Sequence, residues 1–408
     1  MHKTTAPTTV STKINYIYLA GTVFPGHYRR KEVINIMKLK FQKDAIVNAI
    51  NIVMKAVPSK TTMSILECIL IDASSGEIKL TGNDMELGIE TKVEGEILEH
   101  GKIALDAKLF SEITRRLSSQ NASITITSDA NFNTVISCEN SVFNIQGRDG
   151  EEFSYLPYIE KDKYICLSQF TLKEVIQQTI FSISPNDSNK MMAGELFEVN
   201  ENQLKVVSLD GHRISIRNVT LKDCYENTKV IVPGKTLSEV SKILGGDNEK
   251  EVLIYFSSNH ILFEFDDTIV ISRLIEGEYF RISQMLSSDY ETKVTVNKKE
   301  FLDAIERATI LIRENDKKPL IITIGDDNMQ LKLNSSFGSM NADIMIHKTG
   351  KDIMIGFNPK FLIDALRVID DEEIHIYLMN PKSPCFIKDD EGQYIYLILP
   401  VNFNAASV

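Results

Sequence analysis

Three segments of this chain repeat one pattern, and the repeat limits what the chain can fold into. Lys108-Leu109-Phe110-Ser111-Glu112-Ile113, Lys235-Thr236-Leu237-Ser238-Glu239-Val240 and Lys360-Phe361-Leu362-Ile363-Asp364-Ala365 lie 127 residues (108 to 235) and 125 residues (235 to 360) apart. Self-similarity at a fixed period marks a structural unit used several times over. Each segment spaces its apolar residues as one helix face: Phe110, Ile113 and Leu117; Leu237, Val240 and Leu244; Leu362, Ala365 and Ile369. A strand-like alternation follows each, at 123–127, 252–256 and 374–378. A second helix precedes each by about sixty residues, starting near Val47, Leu172 and Leu302. The chain therefore reads as α+β, with three units of two helices packed on antiparallel sheets of about eight strands, at 37–163, 164–290 and 291–408. No Gly/Ser-rich or Pro-rich linker separates them, which predicts rigid packing between units.

Residues 1–36 fall outside the repeat. They carry Lys3, Lys13, Arg29, Arg30 and Lys31 against Glu32 alone, and they read as a flexible extension ahead of a folded start at Met37. The run Ile14–Ala20 is too short and too interrupted by Asn15 for a secretion signal. Five scattered cysteines with no C-x-x-C fit a reducing cytosol and support neither a zinc site nor a disulfide framework. No run of eighteen apolar residues marks a membrane span.

The 56 acidic residues outnumber 45 basic ones, so bulk charge does not favour nucleic acid. The repeated helices run against that balance. Positions i, i+4 and i+7 read Lys108/Glu112/Arg115, Lys235/Glu239/Lys242 and Lys360/Asp364/Arg367, on one face opposite the apolar stripe. For one helix, a solvated face with i,i+4 ion pairs explains this. Three diverged copies with the same net positive face point to a shared basic interior, suited to a polyanion held by its phosphates.

No catalytic set emerges. Gly234-Lys235-Thr236 lacks the upstream glycine of a phosphate-binding loop, since position 229 is lysine. Asp210-Gly211-His212-Arg213 reads as a tight turn between the alternating runs 204–209 and 214–219. The seven histidines show no ligand spacing, and the runs Asp370–Glu373 and Asp389–Glu391 read as solvated turns lacking a calcium-loop pattern. No metal or cofactor is expected.

The repeat, the run Ser208-Leu209-Asp210-Gly211-His212-Arg213-Ile214 and the ending Tyr396-Leu397-Ile398-Leu399-Pro400-Val401 together resemble the bacterial sliding clamps, the beta subunits of DNA polymerase III. Leu80–Glu86 and Val230–Pro233 add to the likeness, which runs from Met37 to about Val401. The resemblance implies three clamp domains per chain, closing as a head-to-tail dimeric ring that encircles double-stranded DNA without reading its sequence. Lys108, Arg115, Lys235, Lys242, Lys360 and Arg367 would face the duplex, joined by Lys60 and Lys190 at positions where the family touches it. Phe143 and Ile145 would meet Ile310 and Leu311 across the dimer joint, although the same residues would also suit ordinary core packing.

The family also carries a cleft that takes short linear motifs from the polymerase III catalytic subunit, the clamp loader, repair polymerases and mismatch-repair proteins. Its positions match Met192, Leu209, Gly211, His212, Arg213, Ile214, Phe280, Met285, Leu397, Ile398, Leu399, Pro400 and Val401. Phe280 stands where the family usually has proline, Asn189 replaces a common arginine and Leu209 a threonine, so the peptide preference should differ. Two rival readings are a motif-binding scaffold that never encircles DNA, and a hydrolase built on Asp210 and His212. The repeated basic faces argue against the first, and the lack of a nucleophile with an orienting group argues against the second.

Overall fold

The computed structural model describes residues 35–117, 122–184, 189–286, 289–313 and 318–403. The expected extension lies almost wholly outside the described residues. The first strand, Asn35–Gln42, begins two residues ahead of Met37.

Among the described residues six α-helices come in three pairs: α1 (Lys43–Val53) with α2 (Ala107–Arg116), α3 (Gln169–Thr179) with α4 (Gly234–Ile243), and α5 (Lys298–Thr309) with α6 (Pro359–Leu366). Four are started by a side-chain cap: the oxygens of Asp106, Ser168, Asn297 and Asn358 accept from the backbone N–H of Leu109, Thr171, Glu300 and Lys360. The apolar stripes read from sequence face inward, and all nine of their residues are buried. One device recurs in every unit. The ammonium of Lys43 donates to the Leu117 carbonyl, that of Lys173 to Leu244 at 2.9 Å, and that of Lys298 to Ile369 at 2.5 Å. Each lysine of a first helix thereby satisfies a carbonyl at the C-terminal end of the second, where the helix dipole favours positive charge.

The strands are antiparallel, and two of the sheets run across unit boundaries. Thr268–Arg273 of the second unit pairs with Leu87–Lys92 of the first, with Val270 opposite Ile89. Tyr394–Ile398 of the third unit pairs with Arg213–Pro233 of the second, with Ser215 opposite Tyr396. Each junction thus joins a unit's last strand to the strand that follows the central turn of the preceding unit. Eight strands per unit was the expectation; in the second unit Gly194–Leu209 and Arg213–Pro233 are 16 and 21 residues long and do the work of four. They bend instead of breaking, with register shifts around Glu201, whose φ is +54°.

The same junction is left open at both ends of the chain. Ser141–Gln146, the last long strand of the first unit ahead of the two-residue strand Arg148–Asp149, is a sheet edge among the described residues. In the third unit, residues 338–345 pair with Asn328–Ser335 and, among the described residues, on one side only. Apolar edges of this kind invite pairing.

Candidate functional site

Two surfaces gather most of the residues singled out from sequence. The first is a wall of helices. Lys55, just beyond α1, reaches Glu239 of α4 at 4.0 Å. Arg213 links the Phe181 carbonyl, just beyond α3, to Asp364 of α6. The helices therefore follow one another as α2, α1, α4, α3, α6, α5 in a continuous layer. Lys108, Arg115, Lys235, Lys242, Lys360 and Arg367 are all exposed on it.

The expected i,i+4 ion pairs do not form: among the described residues none joins Lys108 to Glu112, Lys235 to Glu239 or Lys360 to Asp364. Glu239 instead pairs with Lys242 at 2.8 Å and with Lys55. Asp364 does not face solvent as the sequence pattern suggested; it turns to Arg213 at 2.7 Å. Lys235 reaches Asp84 of the first unit, Arg367 pairs with Glu306 at 2.7 Å, and Arg115 donates to Asn51. Asp364 is thus drawn to the neighbouring unit, while Lys235, Lys242 and Arg367 gain acid partners; among the described residues Lys108, Arg115 and Lys360 carry no ion pair. Lys60, in the loop after α1, and Lys190, in a short 3-10 turn, are exposed.

The second surface lies at the seam between the second and third units. Its floor is a buried apolar cluster including Leu196, Leu209, Ile214, Tyr279, Ile282 and Leu397. Met191, Met192, Phe280 and Leu286 pack against it while half-buried. Met285, 54% exposed, and Leu399, 36% exposed, stand at its rim. Beside the segments 191–196 and 279–286, a hairpin and the last strand build it. The hairpin Asp210–Arg213 turns through Gly211 at φ +86°, and the Asp210 carboxylate accepts from the N–H groups of His212 (2.9 Å) and Arg213 (3.1 Å). The last strand lies alongside, with Leu397 opposite Ile214. Its continuation is held by Leu399 N–H to the His212 carbonyl and Val401 N–H to that of Gly356, both 2.8 Å, leaving Pro400 and Val401 half-buried.

Ile398 does not belong to this surface. Side chains alternate along a strand, so Ile398 points the other way, into the core of the third unit, 1% exposed. Arg213 is also buried. Its guanidinium lies 4.5 Å from the Phe361 ring centroid and pairs with Asp210 at 3.0 Å as well as with Asp364. His212 stacks on Phe361. The hairpin and α6 are therefore clasped together, with Phe361 and Asp364 of α6 forming half of the clasp.

Asp210 and His212 form no catalytic pair: the Asp210 carboxylate is spent on the turn and on Arg213. Beneath the cluster, Glu195 is fully buried, with one carboxyl oxygen accepting from Thr179 Oγ1 at 3.0 Å. Burial pushes its pKa up to about 8, so it is largely neutral at neutral pH. Of the four residues assigned to the dimer joint, Phe143 is 38% and Ile310 80% exposed. Ile145 and Leu311 are half-buried, each packed against its own unit's core. Among the described residues no group of three or more His, Cys, Asp or Glu could hold a metal ion, and no helix is long and apolar enough to cross a membrane.

Comparison with known proteins fits this geometry. Family models match along the chain in order: the DNA polymerase III beta subunit N-terminal domain over residues 37–157, the central domain over 166–280 and the C-terminal domain over 283–402. The beta sliding clamp of Staphylococcus aureus is 33% identical over 377 residues, covering 90% of this chain and 99% of that protein. A crystal structure described as a DNA polymerase III beta subunit from Eubacterium rectale is 65% identical with a TM-score of 0.87, covering 90% of this chain and all of that one. The DNA polymerase sliding clamp of Bacillus subtilis is 31% identical, with the same TM-score and coverage.

Proposed function

The chain belongs to the DNA polymerase III beta subunit family, the bacterial sliding clamps, and from that membership we propose how its surfaces divide the work. It is a processivity factor and not a catalyst. Two copies close head to tail into a six-domain ring around duplex DNA, and the ring tethers the replicative polymerase at high effective concentration. Its place of work is the cytoplasm, on the nucleoid during replication.

The observation that carries the ring is the repeated junction. Two internal seams join a late strand to the strand after a central turn, and among the described residues one copy of each edge is left unpaired. A second chain supplies the missing partner twice, which closes the ring and removes both edges. Phe143 on one edge strand and Ile310 beyond α5 supply exposed apolar contacts for that joint, with Ile145 and Leu311 behind them.

The helix wall would then face the hole. Lys60, Lys108, Arg115, Lys190, Lys235, Lys242, Lys360 and Arg367 offer the duplex phosphates mobile contacts, which hold without stopping sliding. The apolar seam between the second and third units takes the linear motifs of polymerases, the clamp loader and repair proteins. Methionines at 191, 192 and 285 give it a wall that adapts to several side chains.

Charge reversal tests the wall. Lys108 carries no ion pair among the described residues, whereas Lys242 is partly neutralised by Glu239. Lys108→Glu should lower loading onto primed circular DNA more than Lys242→Glu, with dimerisation unchanged for both. Unchanged loading for both variants would remove the wall from the DNA path.

A further inference from the structure

The two internal seams are templates for the open joint, because they share one register. Gly88 faces Ile271 at the first seam and Ile214 faces Leu397 at the second, so both partners advance by 126 residues (88 to 214, 271 to 397). The open edges start from equivalent tight turns. Ser141 follows the turn from Cys138 as Thr268 follows that from Phe265. Gly338 follows the turn from Ser335 as Arg213 follows that from Asp210 and Leu87 that from Asp84. The same register therefore sets Phe143 of one chain opposite Met340 of another, at the place of Val270 and Ile89, which are both fully buried.

That alignment brings a second feature into view. At each internal seam the acid of the repeated helix is taken by a cation of the preceding unit. Glu239 of α4 meets Lys55, two residues beyond α1. Asp364 of α6 meets Arg213, whose guanidinium sits between the Phe181 carbonyl, two residues beyond α3, and the Asp210 turn. Glu112 holds the matching place on α2, exposed and, among the described residues, without an ion pair. In a head-to-tail ring the unit ahead of α2 is the third unit of the other copy.

Arg313 stands in the equivalent corner of that third unit. It lies four residues beyond α5, exposed, with its guanidinium 4.3 Å from the centroid of Phe337 on the turn before Gly338. It thus reaches from a helix end to the tight turn, as Arg213 does at the second seam, and among the described residues it has no acid partner. Leu109, beside Glu112 on α2, is 45% exposed. Its counterparts are covered: Thr236 is 2% exposed, and Phe361 lies against His212. An uncovered leucine and an unpaired acid mark the same open end.

We propose that ring closure pairs Arg313 of one chain with Glu112 of the partner subunit, giving the joint the acid–cation lock that both internal seams already carry. The proposal rests on the head-to-tail ring inferred above. Closure would set the two charges beside Phe337, Ile310 and Leu109 of the partner subunit, and close charge pairs at such interfaces couple more strongly than on an open surface.

The test is sedimentation velocity without DNA on dilution series of the parent, Glu112→Arg, Arg313→Glu and the double exchange. Both positions are exposed, so the substitutions should leave the fold of each chain intact. Each single reversal sets like charges together at both joints and should raise the dimer dissociation constant about tenfold or more. The double exchange restores opposite charges in the same place and should return to within about threefold of the parent. A double exchange no tighter than the single variants, or a single reversal without effect, overturns the lock while the parent dimer keeps the ring. A parent that sediments as single chains throughout overturns ring and lock together.

Discussion

Ile310→Asp should separate the ring into single chains at concentrations where the parent protein stays paired. The side chain is 80% exposed in the isolated chain, so its replacement costs the fold little. In the closed ring it would be buried against the edge strand Ser141–Gln146 of the other chain, beside Phe143. Losing a buried isoleucine costs about 1.5–3 kcal/mol, and burying an unpaired carboxylate adds more. The dimer dissociation constant should therefore rise at least about a hundredfold. The joint occurs twice, so the combined effect on closure is larger still. Sedimentation velocity on a dilution series reads the result directly, and a variant that keeps the parent mass throughout would contradict the proposed joint.

Met285→Lys should abolish capture of a polymerase-tail peptide while leaving the ring closed. Met285 is 54% exposed at the rim of an apolar floor built by Leu209, Ile214, Tyr279 and Leu397, so thermal unfolding should move little. A lysine there must either expose its ammonium and lose the apolar contact, or bury it without a partner. A loss of about a hundredfold or more in peptide affinity is expected, since motif binding has few contacts over which to spread the cost. Fluorescence anisotropy with a labelled tail peptide measures it. Undiminished binding would move the cleft away from this rim.

The fold was legible because its apolar stripes recur at nearly constant spacing. Phe110, Leu237 and Leu362 mark equivalent helices, and burial of their stripes follows from helix geometry alone. The Asp210–Arg213 turn was legible from Asp-Gly chemistry. The faces of the last strand were not: in Tyr396-Leu397-Ile398-Leu399 every side chain is apolar, and only the sheet reveals that Leu397 and Ile398 point to different cores. Asp364 misled for a related reason. Its i,i+4 position beside Lys360 suggests a surface pair, but surface pairs are weak, and a buried guanidinium from the neighbouring unit outcompetes them. The lysines at 43, 173 and 298 escaped notice because their partners are carbonyls more than seventy residues away, invisible to any local pattern.

A closed ring holds DNA by topology, and one measurement reaches that directly. Labelled protein is loaded onto a nicked circular plasmid by a matching clamp loader with ATP, and its retention is followed before and after a single cut that linearises the DNA. A closed ring stays on the circle and leaves promptly once the DNA has ends. Equal retention on circular and linear forms would mean ordinary affinity for DNA, and would contradict the ring.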